Sequence, residues 1–240
     1  MYLQTIFTFN NLFWFFFALV NFSLITLIYK LFGRLGLFTW IAIGTFVANI
    51  QVIKMVDLFG FKPATLGNIM YGTIFLASDC LTEKYGKKDA QKSVYLSFFI
   101  LVSMTIIMQL ALQFKPSPYD FMQEHLEAIF DFVPRVVAGS LTAYITSQLL
   151  DIYLFSKIKE KLPSDRFLWV RNNVSTIISQ LIDTAIFVTI AFAGTIDTNA
   201  LFQVFISTFV IKIIVALLDT PFIYLMKRIK PIKDNNTLLS

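Results

Sequence analysis

Asp79, Arg135, Asp151, Asp183 and Lys212 each interrupt a run of Phe, Ile, Leu and Val long enough to cross a lipid bilayer. A charge in such a place is costly unless it faces a partner or a hydrated cavity, so these residues point to an intramembrane pocket or pathway. Amide and hydroxyl groups recur beside them at helical spacing. Ser140, Tyr144, Ser147/Gln148 and Asp151 follow i, i+4, i+7/i+8 and i+11, and Asn172, Thr176, Ser179/Gln180 and Asp183 repeat the interval. Each set forms one stripe along a helix. A third run brings Asn68, Gly72, Asp79 and Glu83 near one face. Cross-helix hydrogen bonding accounts for the Ser and Thr members, whereas Gln148, Asp151 and Asp183 are better read as facing a ligand.

The elements that carry these residues are membrane helices. The 240 residues are 57% hydrophobic and 16% aromatic, with a mean hydropathy of +0.70, well beyond the roughly 45–50% apolar content of a soluble domain. Seven apolar segments can be drawn, at 11–32, 37–58, 64–82, 90–113, 130–155, 169–193 and 201–226. They are too long and too continuously apolar for the alternating strands of a membrane barrel, so the expected class is all-α, a polytopic bundle of seven transmembrane helices. The segments use up nearly all the length and leave no sizeable soluble domain, so 1–240 is expected to be one integral membrane domain. The N-terminus lacks the basic region and cleavage site of a signal peptide, and the first segment is read as a retained span.

Charge orients the bundle. Fourteen of the twenty basic residues fall after segments one, three and five or in the tail, whereas Lys62 and Lys115 alone occupy the alternate loops. The positive-inside rule then places the N-terminus outside and the C-terminus in the cytoplasm of a multi-pass cell-membrane protein. The same distribution explains the net charge of +5 without nucleic acid, because the basic residues form no aromatic-interleaved stripe. The loop at 119–129 is expected to form a short interfacial helix.

The run Phe75-Leu-Ala-Ser-Asp79-Cys-Leu-Thr-Glu83-Lys-Tyr85-Gly86, followed by basic residues, resembles the signature of the queuosine-precursor transporter family, also called the vitamin-uptake-transporter family. Arg135-Val-Val-Ala-Gly-Ser140, Gln148-Leu-Leu-Asp151, Asp183-Thr184 with Phe187, and Lys212 extend the resemblance over segments two to seven. It implies a six-helix core at 37–228, similar to the substrate-binding subunits of energy-coupling-factor vitamin transporters, with an additional N-terminal span at 1–36 and a cytoplasmic tail at 229–240. It also implies uptake of a small deazapurine, 7-cyano- or 7-aminomethyl-7-deazaguanine. The residues expected to bind it are Asn49, Asn68, Asp79, Glu83, Arg135, Tyr144, Gln148, Asp151, Gln180, Asp183 and Lys212. The chemistry agrees, because a carboxylate can accept paired N–H groups from a guanine-like edge while an amide or cation meets its carbonyl.

The residues alone leave other readings open. A binding subunit for another heterocycle or vitamin shares the architecture, and a membrane enzyme is a third class. No phosphate-binding G-x-x-x-x-G-K-[ST] loop is present, so uptake would be driven by a separate energy-coupling ATPase module or by secondary transport. No cofactor is implied. A single cysteine, Cys80, excludes an internal disulfide, and carboxylates without His or Cys specify no transition metal. His125 is read as an interfacial residue. The small pair Gly44 and Ala48 has the spacing of a helix-docking seam, but such pairs are common and carry no partner by themselves; Asp183 is expected to pair with Lys212 at similar depth.

Overall fold

The computed structural model describes residues 8–130, 134–194 and 197–232, apart from the side chains of 62, 63 and 134–136. It is a helical bundle in the order α1 (Phe9–Gln51), β1 (Met55–Leu58), β2 (Phe61–Thr65), α2 (Asn68–Lys84), α3 (Lys87–Ala111), α4 (Gln123–Phe130), α5 (Pro134–Lys161), a 3₁₀ turn (Asp165–Phe167), α6 (Leu168–Phe192) and α7 (Thr198–Arg228).

At 43 residues, α1 would rise about 65 Å if straight, roughly twice the thickness of a bilayer core. It does not run straight. Gly33 has φ 55° and ψ −132°, a conformation only glycine adopts readily, and there the chain doubles back. Both ends of α1 meet the β1–β2 hairpin: Asn11 Oδ1 accepts from Phe59 N at 3.0 Å, while Gln51 leads into β1. The two arms of α1 are therefore the first two expected segments, joined at the opposite end of the bundle. Gly33→Ala should cost about 1–3 kcal/mol, read as a lower melting temperature in detergent, because a Cβ forces the turn out of this conformation.

The second and third segments need correction. Helix α1 stops at Gln51 and α2 starts at Asn68; residues expected to be helical at 52–58 and 64–67 instead belong to the antiparallel hairpin and its flanks. Its tip holds Phe59 and Gly60 at φ 51° and 89°, the paired positive values that match hairpin twist. An apolar run that alternates around a Phe-Gly turn satisfies a strand as well as a helix, and hydropathy alone does not separate the two.

α2 is the centre of the bundle, buried throughout except at Tyr71, Glu83 and Lys84. Gly44 and Ala48 are buried too, and a Cβ at Gly44 would stand 3.0 Å from the Met70 side chain. This small-residue seam thus packs against α2 of the same chain, leaving none of it for a partner helix. A short helix is present in the loop where one was expected, as α4, capped by Asp120, whose carboxylate accepts from Met122 N at 2.8 Å and Gln123 N at 3.1 Å.

Among the described residues, α1, α3, α6 with its 3₁₀ lead-in, and α7 are long and apolar enough to cross a membrane. The 17 residues of α2 rise about 25 Å, somewhat short of a full crossing. Phe9, Phe13, Phe16, Phe99, Ile107 and Phe202 lie exposed on the outside of the bundle. Such outward apolar surface is what lipid covers.

Candidate functional site

Three polar centres lie along the bundle. The first is a cavity of ≈ 340 Å³ near the hairpin end. Its rim comes from Val52, Ile53, Met55 and Thr65; α2 adds Asn68 and Tyr71, and α5 adds Ser140, Ala143 and Tyr144. The far wall is Asp183, Phe187 and Phe192 of α6 with Val204, Ser207, Thr208 and Lys212 of α7. Aromatic and aliphatic walls with a few convergent polar groups, at a volume within the ~300–1,000 Å³ of small-molecule sites, describe a ligand pocket.

The polar groups of the cavity are held in place by their own partners. Lys212 pairs with the Asp183 carboxylate, as their shared depth in antiparallel neighbours predicts, and Ser147 donates to Asp183 Oδ1 at 3.0 Å. The Lys212 ammonium also lies 5.9 Å from the centre of the Tyr71 ring, within cation–π reach. Asn68 turns its amide nitrogen toward Thr65 O at 3.2 Å. The Tyr144 hydroxyl is fixed by Thr45 and Ser97, so its ring is set against the cavity. Asn49 donates to Thr45 O at 2.8 Å and reaches the Tyr71 side chain from behind, lining a smaller cleft that shares Val52, Ile53 and Ser140 with the main cavity.

The second centre lies toward the opposite end and is closed. Asp79, Gln148 and Asp151 are 0% exposed. The Thr176 hydroxyl stands 3.4 Å from Asp79 Oδ2 and 3.3 Å from Asp151 Oδ1, bridging α2 and α5 from α6. Asn172 donates from its amide nitrogen to Asp219 Oδ1 at 2.6 Å. The stripes on α5 and α6 thus face each other, and Gln148 and Asp151, read from sequence as facing a ligand, are closed between helices instead. Gln180 is buried on the same face of α6.

The third centre is an ion cluster that ties the helix ends together. Glu83 receives Arg171 at 3.0 Å, Lys159 at 3.1 Å and also Lys227, so one carboxylate of α2 clasps α5, α6 and α7. Lys227 in addition bonds Asp165.

Of the eleven expected binding residues, Asn68, Tyr144, Asp183 and Lys212 line the cavity and Asn49 stands just behind it. Asp79, Gln148 and Asp151 belong to the closed centre, Gln180 is buried on the α6 stripe, and Glu83 belongs to the ion cluster, each off the cavity wall. Arg135 lies in α5 with its side chain outside the described residues. Sequence reading missed Tyr71, Ser207 and Thr208 on the wall, Arg171 in the cluster and Asp219 beside Asn172. For Asp219 a signal existed: it follows Lys212 by seven residues and so shares its helix face.

A bundle of apolar helices around a polar, aromatic-walled cavity is the plan of a membrane transport protein. A family model described as "Putative vitamin uptake transporter" matches residues 65–226, and the chain belongs to that family. It is 51% identical over 223 residues to a Bacillus subtilis (strain 168) protein named "Probable queuosine precursor transporter", covering 93% of this chain and 97% of the relative. A Haemophilus influenzae protein of the same name is 29% identical over 136 residues, 56% of this chain and 54% of its own. The Escherichia coli (strain K12) "Queuosine precursor transporter" is 27% identical over 165 residues, 68% of this chain and 70% of its own. No solved structure matches the chain.

Proposed function

We propose that the protein imports a 7-deazaguanine precursor of queuosine, 7-cyano- or 7-aminomethyl-7-deazaguanine, and binds it in the cavity at the hairpin end. The observation that carries this reading is the Asp183–Lys212 pair set in a cavity walled by Tyr71, Tyr144, Phe187 and Phe192. The names of the relatives support the same substrate. A guanine-type ring presents adjacent N–H donors that the Asp183 carboxylate can accept and a carbonyl that Lys212 can meet. Asn68 supplies a further amide, and the ring face stacks on the aromatic walls at about 1–3 kcal/mol, by analogy with bound bases.

The chain acts as a carrier and leaves its substrate chemically unchanged. Cys80 is sealed in the core, and His125 lies on the exposed side of α4, so neither is placed to attack a ligand in the cavity. The whole chain is read as one membrane domain, with 1–36 as an addition to the core at 37–228 and 229–240 as a tail. It crosses the cell membrane seven times, α1 contributing two crossings. The hairpin end and N-terminus face outside, and the Glu83 end, where the basic residues concentrate, faces the cytoplasm. A reporter fused after Lys233 should therefore be active only as a cytoplasmic reporter; extracellular activity would invert the assignment.

The function itself is tested in a strain unable to synthesise queuosine precursors. Supplied with nanomolar external precursor, it should regain queuosine in its tRNA only when this chain is expressed. Equal tRNA modification without the chain, or none with it, would refute import.

A further inference from the structure

The closed centre between the cavity and the Glu83 cluster has a chemistry of its own. Asp79 of α2 and Asp151 of α5 are in side-chain hydrogen-bonding contact with each other and meet at the Thr176 hydroxyl; Ser175 and Ser179 also stand beside Asp151, while among the described residues no donor reaches Asp79 Oδ1. Two carboxylate oxygens in contact have only lone pairs to present, and the contact holds together when one proton lies between them. The charged group facing the pair from another helix is Asp219 of α7; on α2, Glu83 and Lys84 lie beside the adjacent Cys80. Arg171 of α6 and Lys227 of α7 are committed to Glu83, and Lys212 of α7 to Asp183. No described cation forms an ion pair with Asp79, Asp151 or Asp219.

Unpartnered amides point the same way. Asn172 is fully buried and gives its nitrogen to Asp219, but its carbonyl oxygen has no partner; Gln148, one turn from Asp151 on the same helix face, is fully buried with neither amide atom satisfied. Such groups are rarely left unpaired in a finished core, and here they line one stretch of the bundle interior. That stretch lies beneath the cavity along the bundle axis. Thr176 lies seven residues before Asp183 on α6, and Asp219 seven after Lys212 on the antiparallel α7, so the centre lies about 10 Å deeper at 1.5 Å per residue.

We propose that Asp79 and Asp151 form a proton-binding pair through which this protein couples uptake of its substrate to proton entry. The proposal rests on the importer reading and adds the energy source. In the loaded state one proton, taken from the outer side by way of the cavity and the Gln148 level, is shared between the two carboxyls and holds α2 against α5. Its release to the cytoplasmic side leaves two like charges in contact, and their repulsion loosens that packing. No bond other than O–H is made or broken, and the proton that enters is the proton released.

Purified protein in proteoliposomes, with labelled 7-cyano-7-deazaguanine, tests this directly. With acid outside, wild type should accumulate the label at least tenfold above equilibrium, and a protonophore should abolish the gain. Asp151→Asn, and separately Asp79→Asn, should exchange external for internal label yet accumulate none. In infrared spectra, wild type without substrate should show a protonated carboxyl band that disappears as pH rises, and Asp151→Asn should lack it. Accumulation that ignores the proton gradient, follows sodium instead, or survives in both variants would overturn the proposal. So would a carboxyl band that never titrates, a result available even where a variant does not fold. Failure of wild type to bind the labelled compound would refute the importer reading while leaving the infrared titration to judge the pair.

Discussion

Asp183→Asn should weaken equilibrium binding of 7-cyano-7-deazaguanine by about 10–150-fold, the value of one charge-assisted hydrogen bond of roughly 1.5–3 kcal/mol. The same substitution leaves the Lys212 ammonium without its partner in a site where it is only 8% exposed. Breaking one side of a buried pair costs about 3–5 kcal/mol, while replacing both members with neutral side chains is often tolerated. Lys212→Met should accordingly lower thermal stability to a similar degree, and the double variant should be more stable than either single one. An additive double-mutant cycle would show that the two charges act independently and would remove the pair from the account.

A second large effect is expected at the other end of the bundle. Glu83→Gln removes the one carboxylate that Arg171, Lys159 and Lys227 share, and Arg171 is fully buried. The loss should again be about 3–5 kcal/mol, because a desolvated guanidinium is left without a counter-charge. Lys159→Met should cost far less, since its side chain is 34% exposed and Glu83 retains two partners. Melting curves of the purified variants check the order. If Lys159→Met proved as damaging as Glu83→Gln, the cluster would not be centred on Glu83. Substrate affinity should change little in Glu83→Gln molecules that remain folded, because the carboxylate stands off the cavity wall.

The residues that could be read from sequence were those whose cost in lipid forces them to have partners. Asp183 and Lys212 sit near the middle of two apolar runs joined by a short connection, and that alone brings them together. The stripes ending at Asp151 and Asp183 were legible for the same reason: helical period puts each on one face, and two polar faces in lipid pack against each other. The division of labour between the stripes was not legible. Helical spacing gives a residue's face but not which neighbour seals it, so Asp79 and Gln148 could not be told from cavity residues until α6 placed Thr176 against the two aspartates. Glu83 was ambiguous because its partners come from three other helices, at separations of 76, 88 and 144 residues. The hairpin was hidden because Val56, Leu58, Phe59 and Phe61 carry the hydropathy of a span, and its signal is the positive φ of a two-residue turn.

The cavity walled by Tyr71, Tyr144, Asp183 and Lys212 is the proposed deazapurine site. The most direct measurement is equilibrium binding of labelled 7-cyano-7-deazaguanine to purified wild type and to Asp183→Asn and Lys212→Met. Saturable binding by wild type, lost or weakened at least tenfold in both variants while the folded fraction is matched, is the predicted result. Wild-type affinity retained in both variants would place the site elsewhere in the bundle.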